Sequence, residues 1–420
     1  MGAGAVLDFD HNGIFPSVKN ITDEVLKLNI QKVDGGERPL LRELYDYIVG
    51  KLNQVGRPEV NRYIPPQINF ESLLHVVEMC ISYSSCWHKE LTSWPALPEF
   101  GTLIQPINFL KDIHTYDYIR GAYGLQKTVM DIVNQYDSFF REDTSTEQWY
   151  RDFWKSLSGR SNIFNLNYDN TIENSLAEYE DGFPPIKDGE EYSRFSARRY
   201  YENTSSVSTI AHLHGQILYS MAKSYPFEYT MRDMVKYRDY ETACKNRGGG
   251  HFPPSNQAKE EYLQPEIVSG LRKTEKMTFA PNNVYLSDLA RKVIENNRLM
   301  IIGYSFGDLY ANQLLERHKL IHNKNQRVVV IDKWPDYVND NSVSLYRYYM
   351  DYTSGGLKEF VARIIEGGIA PIDTFNHFLQ IADDCWQSPN GVLRLYTKGM
   401  KYAVENHQDE ILTYLRLTSS

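Results

Sequence analysis

Three short apolar segments of the chain each end in polar or glycine residues, and this repeated arrangement constrains the fold more than any other feature. The first segment ends at Leu166 and runs into the polar residues 167–170 (NYDN). The second ends at His214-Gly215, and the third, Leu299–Ile302, runs into GYSFGD. Buried parallel strands deliver side chains to a cleft at their carboxyl ends in this way. The sequence therefore predicts a parallel sheet with a ligand site along one edge.

The segment from Val284 to Asp332 alternates between helical and strand patterns. A helical pattern precedes the strand Leu299–Ile302, and a second one, starting at Leu309, precedes the strand Arg327–Ile331. This alternation is typical of right-handed βαβ units in a parallel sheet.

Residues 37 to about 160 carry mainly helical patterns. Apolar residues fall on one helical face in Pro39–Gln54 and in Asp117–Phe140, whereas Phe70–Trp87 is apolar nearly all round. An aromatic stripe in residues 149–157 is interpreted as packing. We therefore expect a large helical insertion over about 37–160.

The remainder of the chain is divided into a loop and a C-terminal module. Residues about 222–280 are polar and interrupted by glycines, which predicts an irregular loop. Three helical patterns follow residue 335, at Leu357–Ile365, Ile372–Trp386 and Lys401–Leu417. The expected organisation is one α/β domain over 1–335 and a helical C-terminal module over 336–420.

Composition excludes several classes of protein. The formal net charge of −9 over 420 residues argues against direct binding of nucleic acid. No apolar run approaches the length of a membrane span, so a membrane partner is not expected. The four cysteines are scattered without a C-x-x-C pair, which indicates neither a zinc ribbon nor a disulfide framework. We expect a cytoplasmic protein without a bound metal.

Five short motifs occur in an order that resembles that of sirtuins, and more closely that of the sirtuin-like subunits of bacterial antiphage defence systems. They are GAG at Gly2–Gly4, NYD at Asn167–Asp169, HG at His214-Gly215, G-x-S at Gly303–Ser305, and VVVID ending at Asp332. The resemblance covers about residues 1–36, 158–220 and 280–335. It implies an α/β fold with a sirtuin-like, Rossmann-type parallel sheet that carries the helical insertion and the helical C-terminal module.

The resemblance also implies which residues bind NAD. Gly2, Ala3 and Gly4 would hold the pyrophosphate, Gly303 and Ser305 would form the turn under the phosphates, and Asp332 would accept from the adenosine ribose. For each there is a structural alternative: a flexible chain end, a tight turn with Asp308 as helix cap, and a plain strand end. A glycine turn of this kind normally follows a buried strand. Either the natural chain extends before Met1, or the turn is held differently.

Three residues are candidates for catalysis. Loss of nicotinamide from NAD passes through an oxocarbenium-like transition state, so the site must exclude bulk water and position one nucleophile. His214 is suited to be the general base, although it could be a structural histidine. Asn167 can orient a water or a ribose hydroxyl. Asp169 would accept from the nicotinamide amide, as the resemblance implies, or would be a helix N-cap, a role shared with Asn170 or Thr171.

These residues predict an NAD glycohydrolase that releases nicotinamide and ADP-ribose, with NAD as substrate. Protein-deacylating sirtuins carry a zinc module with four clustered cysteines, and this chain has no such cluster. Two alternatives stay open: an NAD-dependent protein deacylase, and a non-catalytic sensor of NAD or ADP-ribose. The preference for NAD over NADP is not predicted.

Partners are expected because an unregulated NAD hydrolase would be toxic to its host. No Walker-type G-x-x-x-x-G-K-[ST] motif is present, so the sensing of infection is expected to lie in another chain. The resemblance implies a HerA-type DNA-translocating ATPase as partner, with an Argonaute-type protein as the runner-up. The abundance of tyrosine, at 31 residues, suggests interfaces, and we expect a ring-like homo-oligomer.

Overall fold

A computed structural model of the chain describes the central sheet and residues near both chain ends. The described residues are 1–6, 8–9, 17–32, 35–54, 68–84, 115–142, 147–159, 161–202, 207–221, 234–246, 280–304, 308–333, 379–388 and 390–416. Their α-helices are α1 (Val18–Val25), α2 (Leu40–Gln54), α3 (Phe70–Ser84), α4 (Thr115–Glu142), α5 (Gln148–Ser156), α6 (Ala197–Glu202), α7 (Tyr240–Asn246), α8 (Asn282–Glu295), α9 (Leu309–His322) and α10 (Met400–Tyr414). Their strands are β1 (Ile30–Gln31), β2 (Glu37–Arg38), β3 (Asn162–Asn165), β4 (Tyr179–Glu180), β5 (Tyr192–Arg194), β6 (Ser208–His212), β7 (Tyr219–Met221), β8 (Met234–Tyr237), β9 (Arg298–Ile302), β10 (Arg327–Ile331), β11 (Leu379–Ala382), β12 (Cys385–Gln387) and β13 (Leu393–Tyr396).

The central layer consists of two groups of parallel strands. One group has the order β4-β6-β3, and the other has β9, β10 and β13 side by side. The strands β12 and β11 extend the second group as an antiparallel edge. The predicted mixed α/β fold with a parallel sheet is therefore confirmed.

Met1 and Gly2 join these two groups of strands. The Met1 amino group donates to the Phe164 carbonyl at 2.7 Å, and the Leu166 amide donates to the Met1 carbonyl at 2.9 Å. On the other side, the Gly2 amide donates to the Ile302 carbonyl at 2.9 Å. Met1 and Gly2 thus lie between β3 and β9 and continue the backbone hydrogen-bond ladder from one strand to the other. Through them the two groups of strands form one continuous layer.

The predicted helical insertion is confirmed in its described part. Helix α3 packs along α4, and α1 packs against both. Aromatic rings connect this insertion to the start of the chain: Phe9 stacks on Phe140 at a centroid distance of 5.4 Å and meets the edge of Tyr150 at 4.8 Å. The aromatic stripe of α5 is buried, as expected for packing residues.

The C-terminal region differs from the prediction. The helix expected over Ile372–Trp386 is wrong in its described part, because β11 and β12 form an antiparallel hairpin there. Residue Cys385 is buried where β12 pairs with β13, and this tertiary pairing outweighs the local helical pattern. The helix expected at Lys401–Leu417 is confirmed as α10. The pattern at Leu357–Ile365 lies outside the described residues.

The residues after 336 are thus not all helical where they are described. Strand β13 pairs in parallel with β10, so the two sides of the predicted boundary share one sheet. The division into domains at 335 stays a prediction.

The segment expected to be an irregular loop over about 222–280 contains regular structure. Strand β8 pairs with β5 and β7 in a small antiparallel sheet, and α7 follows it. The described part of this segment, residues 234–246, therefore contradicts the prediction, and residues 222–233 and 247–279 lie outside the described set. Within the described parts of the chain, none of the helices has the length and apolar character that crossing a membrane requires.

Candidate functional site

Most of the predicted site residues lie along one edge of the central layer. Asn167 follows β3, His214 follows β6, Gly303 follows β9 and Asp332 follows β10. Because these strands are parallel, their carboxyl ends meet at the same edge. Gly2 lies at this edge as well, since its amide bonds to the last residue of β9.

Gly2 is in very close contact with the turn after β9. A Cβ atom at this position would lie 2.5 Å from the Gly303 carbonyl oxygen and 3.0 Å from the Cα of Tyr304. Gly303 itself has a φ of 57°, in the left-handed region that favours glycine. The two glycines therefore allow the backbones of two turns to touch. Ala3 and Gly4 continue into a 3-10 turn over Ala3–Val6, and Ser305 lies outside the described residues.

Replacing Gly2 with alanine is expected to destabilise the protein by about 1–3 kcal/mol, because the added methyl group overlaps backbone atoms that have little freedom to move. Thermal unfolding of the variant measures this effect. Gly50→Ala is the matched control, since Gly50 lies within α2 with open space around its Cβ direction. That control should leave stability unchanged or raise it slightly. Equal melting of Gly2→Ala and the unmodified protein would contradict the close contact.

Asn167 is held between the end of β3 and the Gly2 turn. Its side-chain amide donates to the Gly2 carbonyl at 3.3 Å, and its backbone amide donates to Oδ1 of Asn165 at 3.0 Å. Its carbonyl oxygen lies 3.2 Å from Nδ1 of His212. The residue is buried, so its orientation is fixed by the protein and not by solvent.

His214 is paired with a carboxylate that the sequence did not connect to it. Its Nε2 lies 3.3 Å from Oδ2 of Asp308, and both side chains are about 10 % exposed. The other carboxylate oxygen of Asp308 accepts from the Ala311 amide at 3.1 Å and caps α9. The predicted cap role of Asp308 is confirmed, and the same side chain also orients the imidazole. An adjacent carboxylate favours the protonated form of a histidine.

Tyr304 fixes the position of Asp308. The Asp308 amide donates to the Tyr304 hydroxyl at 3.1 Å, and this hydroxyl also lies 3.0 Å from Oδ1 of Asn312. The backbone of Asp308 is therefore held by Tyr304, and its carboxylate by the Ala311 amide of α9.

Asp169 forms a local turn within the protein. Its Oδ1 accepts from the amide of Thr171 at 3.1 Å and from the Thr171 hydroxyl at 2.5 Å. Burial raises the pKa of Asp169. The helix-cap alternative is wrong, because the 3-10 helix that follows, Glu173–Ser175, has Ile172 as its N-cap. Contact between Asp169 and the nicotinamide amide stays a prediction.

A second buried acid, Asp137, lies near Asp169 in the interior of the protein. Its Oδ1 accepts from the Asn170 amide at 2.8 Å. Burial, followed by the charge of Asp169, raises the pKa of Asp137 to about 7. A carboxyl group whose pKa is higher in the folded than in the unfolded state destabilises the fold as the unfolded state ionises. The resulting loss of folding free energy grows as the pH rises from about 4 to about 7.

The stability of Asp137→Asn is therefore expected to depend on pH differently from that of the unmodified protein. At about pH 3.5 the two should differ least in unfolding temperature, because Asp137 is then protonated in the folded chain and largely protonated in the unfolded chain, and an amide can accept the same hydrogen bond. At pH 8 the variant should be more stable by about 3 °C or more, since one pKa unit corresponds to about 1.4 kcal/mol. Thermal melts of both proteins at the two pH values measure this. A difference that does not change with pH would contradict it.

The other histidine of HLHG forms an internal pair that the sequence analysis missed. Nε2 of His212 lies 2.5 Å from Oε1 of Glu173, and the amide of Gln216 donates to the same oxygen at 3.3 Å. Burial alone would lower the pKa of His212, but the Glu173 carboxylate raises it overall. His212 and Glu173 are thus packed inside the fold, and the sequence signal for them was only the H-x-H spacing.

Asp332 lies at the carboxyl end of β10, next to the start of α10. Its backbone bonds to the carbonyl of Tyr396 and the amide of Gly399, each at 3.0 Å. Burial, followed by the nearby charge of Asp8, raises the pKa of Asp332 to about 6. Asp8 in turn bonds to the Lys333 ammonium at 2.9 Å and to the backbone amide of Lys401 at 3.1 Å. The structure places Asp332 at the expected edge, and contact with a ribose stays a prediction.

No group of three or more metal-ligating side chains occurs in the parts of the chain that the structure describes. The described part of the edge presents an oriented imidazole, a fixed amide and two closely packed glycine turns.

The fold is that of a mixed α/β protein of the Rossmann type. Residues 161–350 match the family model of the SIR2-like domain. The match contains Asn167, His214 and Asp332, and it does not reach Gly2. The matched span is therefore similar to a SIR2-like domain, and it covers slightly less than half of the chain. No curated protein matches this chain.

Proposed function

We propose that the protein is an NAD glycohydrolase that produces nicotinamide and ADP-ribose. The observation that carries this proposal is the position of Asn167 and His214. They follow the adjacent parallel strands β3 and β6, within the span that matches the SIR2-like domain. The edge they share also contains the two glycine turns at Gly2 and Gly303, whose backbones lie in close contact.

The proposed reaction breaks the bond between nicotinamide and C1′ of the ribose and forms a bond from a water oxygen to C1′. Asn167 orients the attacking water or a ribose hydroxyl through its amide. His214 accepts the proton that the water loses, and nicotinamide leaves as a neutral molecule. Because Asn167 and His214 are each about 8 % exposed, both groups are shielded from bulk water before the substrate binds.

Asp308 is a positioning residue in this proposal. It acts through His214, whose Nε2 lies 3.3 Å from its carboxylate, and the bond from the Ala311 amide anchors that carboxylate on α9. Its carboxylate also stabilises the imidazolium that forms when His214 takes up a proton.

The test is an incubation of the purified protein with NAD, in which nicotinamide and ADP-ribose are followed by chromatography. An NAD glycohydrolase releases both without any peptide. Release only in the presence of an acyl-lysine peptide, together with O-acyl-ADP-ribose, would identify a deacylase instead. Binding of NAD without turnover would identify a sensor.

We further propose that NAD cleavage serves antiphage defence by depleting NAD. Support comes from the order of the five motifs, which resembles that of defence subunits, and from the net charge of −9, which is poorly suited to sensing DNA directly. The signal of infection would then come from a partner, of which a HerA-type ATPase is preferred to an Argonaute-type protein.

A ring-like homo-oligomer is part of this proposal. Closed symmetric assemblies are the common outcome for homo-oligomers, and a ring could dock a ring-forming ATPase. Light scattering across micromolar concentrations is expected to give a mass several times the 48.8 kDa of one chain. A strictly monomeric species over that range would contradict the proposal.

A further inference from the structure

The side chain of His212 closes the loop that carries Asn167 and Asp169. This loop follows β3 and ends at the 3-10 turn that begins with Glu173. Nδ1 of His212 lies 3.2 Å from the Asn167 carbonyl oxygen, and Nε2 lies 2.5 Å from Oε1 of Glu173. One imidazole ring therefore joins the start of the loop to the residue at which it ends.

The next residue of the loop is held by a backbone amide of the same segment. The Ile217 amide donates to the Tyr168 carbonyl at 2.9 Å. At Asn167 the donor is a side chain, the ring of His212. The ring thus gives the Asn167 carbonyl a contact of the kind that the backbone gives to Tyr168.

The partners of His212 require a proton on each ring nitrogen. A backbone carbonyl oxygen can only accept a hydrogen bond, so Nδ1 donates to Asn167. Oε1 of Glu173 also accepts from the Gln216 side-chain amide at 3.3 Å, as an ionised carboxylate does. Burial alone would raise the pKa of Glu173, but the charge of His212 lowers it overall. Nε2 therefore donates to a carboxylate, and His212 is an imidazolium.

The charged groups around His212 fit this protonation state. His212 is fully buried, and the Glu173 side chain is 4 % exposed. Lys236 acts on both electrostatically and is itself paired with Asp181 at 2.6 Å, while the charge of His212 also acts on the buried Asp169. His212 and Lys236 thus balance the carboxylates of Glu173 and Asp181. A neutral His212 would leave Glu173 as an uncompensated buried charge, which is costly.

The contact with His212 fixes the backbone of Asn167. Its carbonyl is held by the imidazolium, and its amide donates to Oδ1 of Asn165 at 3.0 Å. With both backbone groups held, the direction in which the side chain leaves the backbone is set. The Asn167 side-chain amide then reaches the Gly2 carbonyl at 3.3 Å, at the candidate edge.

We propose that His212 is a positioning residue of the candidate site: as an imidazolium paired with Glu173, it holds the Asn167 carbonyl and so fixes the orientation of the Asn167 side chain. This arrangement of His212, Glu173 and Asn167 is called the imidazolium clamp. The role of the clamp in catalysis rests on the proposed NAD cleavage, in which His212 acts through Asn167. The clamp itself is a property of the fold and is tested without any activity.

Two substitutions separate the two contacts of the ring. The amide nitrogen of asparagine can take the place of Nδ1, and that of glutamine can take the place of Nε2. His212→Asn should therefore keep the donor to Asn167 and lose the pairing with Glu173. His212→Gln should keep a donor to Glu173 and lose the contact with Asn167.

Stability and kcat are expected to change in opposite order in these two variants. His212→Asn leaves a buried carboxylate unpaired, so its melting temperature should fall further than that of His212→Gln. It should nevertheless retain a kcat of NAD cleavage within about threefold of the unmodified protein, whereas His212→Gln should lose about 10–100-fold in kcat with little change in KM. A kcat that follows the melting temperature in both variants would overturn the positioning role.

Nuclear magnetic resonance of ¹⁵N-labelled protein tests the clamp by itself. Both ring nitrogens of His212 should carry protons from about pH 6 to about pH 8, whereas an exposed histidine loses one proton near about pH 6.5. The side-chain amide signal of Asn167, identified by its loss in Asn167→Ala, should shift in His212→Gln. A singly protonated His212 ring at about pH 7, or an unchanged Asn167 signal, would overturn the clamp. An intact clamp in a protein that does not cleave NAD would contradict the proposed function and not the clamp.

Discussion

Replacing His214 with alanine is expected to lower the kcat of NAD cleavage by about 10²–10⁴-fold, the usual contribution of a positioned general base. The substitution removes the group that accepts the proton, while Asn167 and the Gly2 turn keep their contacts with each other. KM should change little, because the imidazole acts mainly in the transition state. Steady-state kinetics of nicotinamide release measure both constants.

His407→Ala is the control for this variant. His407 lies on α10, where its Nε2 is 3.1 Å from Asp384, and it does not belong to the candidate edge. Its replacement should leave kcat within about twofold of the unmodified protein, because the substitution lies away from the candidate edge, and any loss of stability from unpairing the buried Asp384 is read from a thermal melt. Turnover that survives unchanged in His214→Ala would remove His214 from the mechanism, even if the activity itself stood.

Replacing Asp308 with asparagine is expected to lower kcat by about 10–100-fold, because a hydrogen bond to a charged group contributes about 1.5–3 kcal/mol. Asparagine caps helices as well as aspartate does, so the contact with the Ala311 amide and the start of α9 should be retained. The variant therefore removes the charge beside His214 without removing the cap.

The pH profile separates this role from a purely structural one. The Asp308 carboxylate favours the protonated imidazole, so its removal makes the ring lose its proton at lower pH. The acidic limb of the kcat profile should therefore shift to lower pH. A variant with reduced stability alone would show no such shift. An unshifted profile in a well-folded Asp308→Asn protein would contradict the positioning role.

The parts of the fold that follow from local patterns were predicted well. The alternation that produces α8, β9, α9 and β10 depends on apolar periodicity within about twenty residues, and the strand Arg327–Ile331 has the expected bounds. The hairpin of β11 and β12 was mistaken for a helix because its strands are fixed by pairing with β13 and not by their own periodicity.

The candidate site, like the fold, was predicted only where the signal is local in the sequence. Strand ends supplied Asn167, His214 and Asp332, since a polar residue after an apolar segment is visible in the sequence. The pairing of His214 with Asp308 was not visible, because 94 residues separate the two positions. The role of Gly2 was expected to be phosphate binding alone, and its contact with Gly303 appears only when the two turns are brought together by the sheet.

The central claim, cleavage of NAD at the edge that carries Asn167 and His214, is tested most directly by product analysis of the unmodified protein and Asn167→Ala. The unmodified protein should release nicotinamide and ADP-ribose in equal amounts without a peptide acceptor. Asn167→Ala should remain folded, bind NAD and release neither product above background. Equal rates of release from the two proteins, or NAD that stays intact with both under every condition of assembly, would contradict the account.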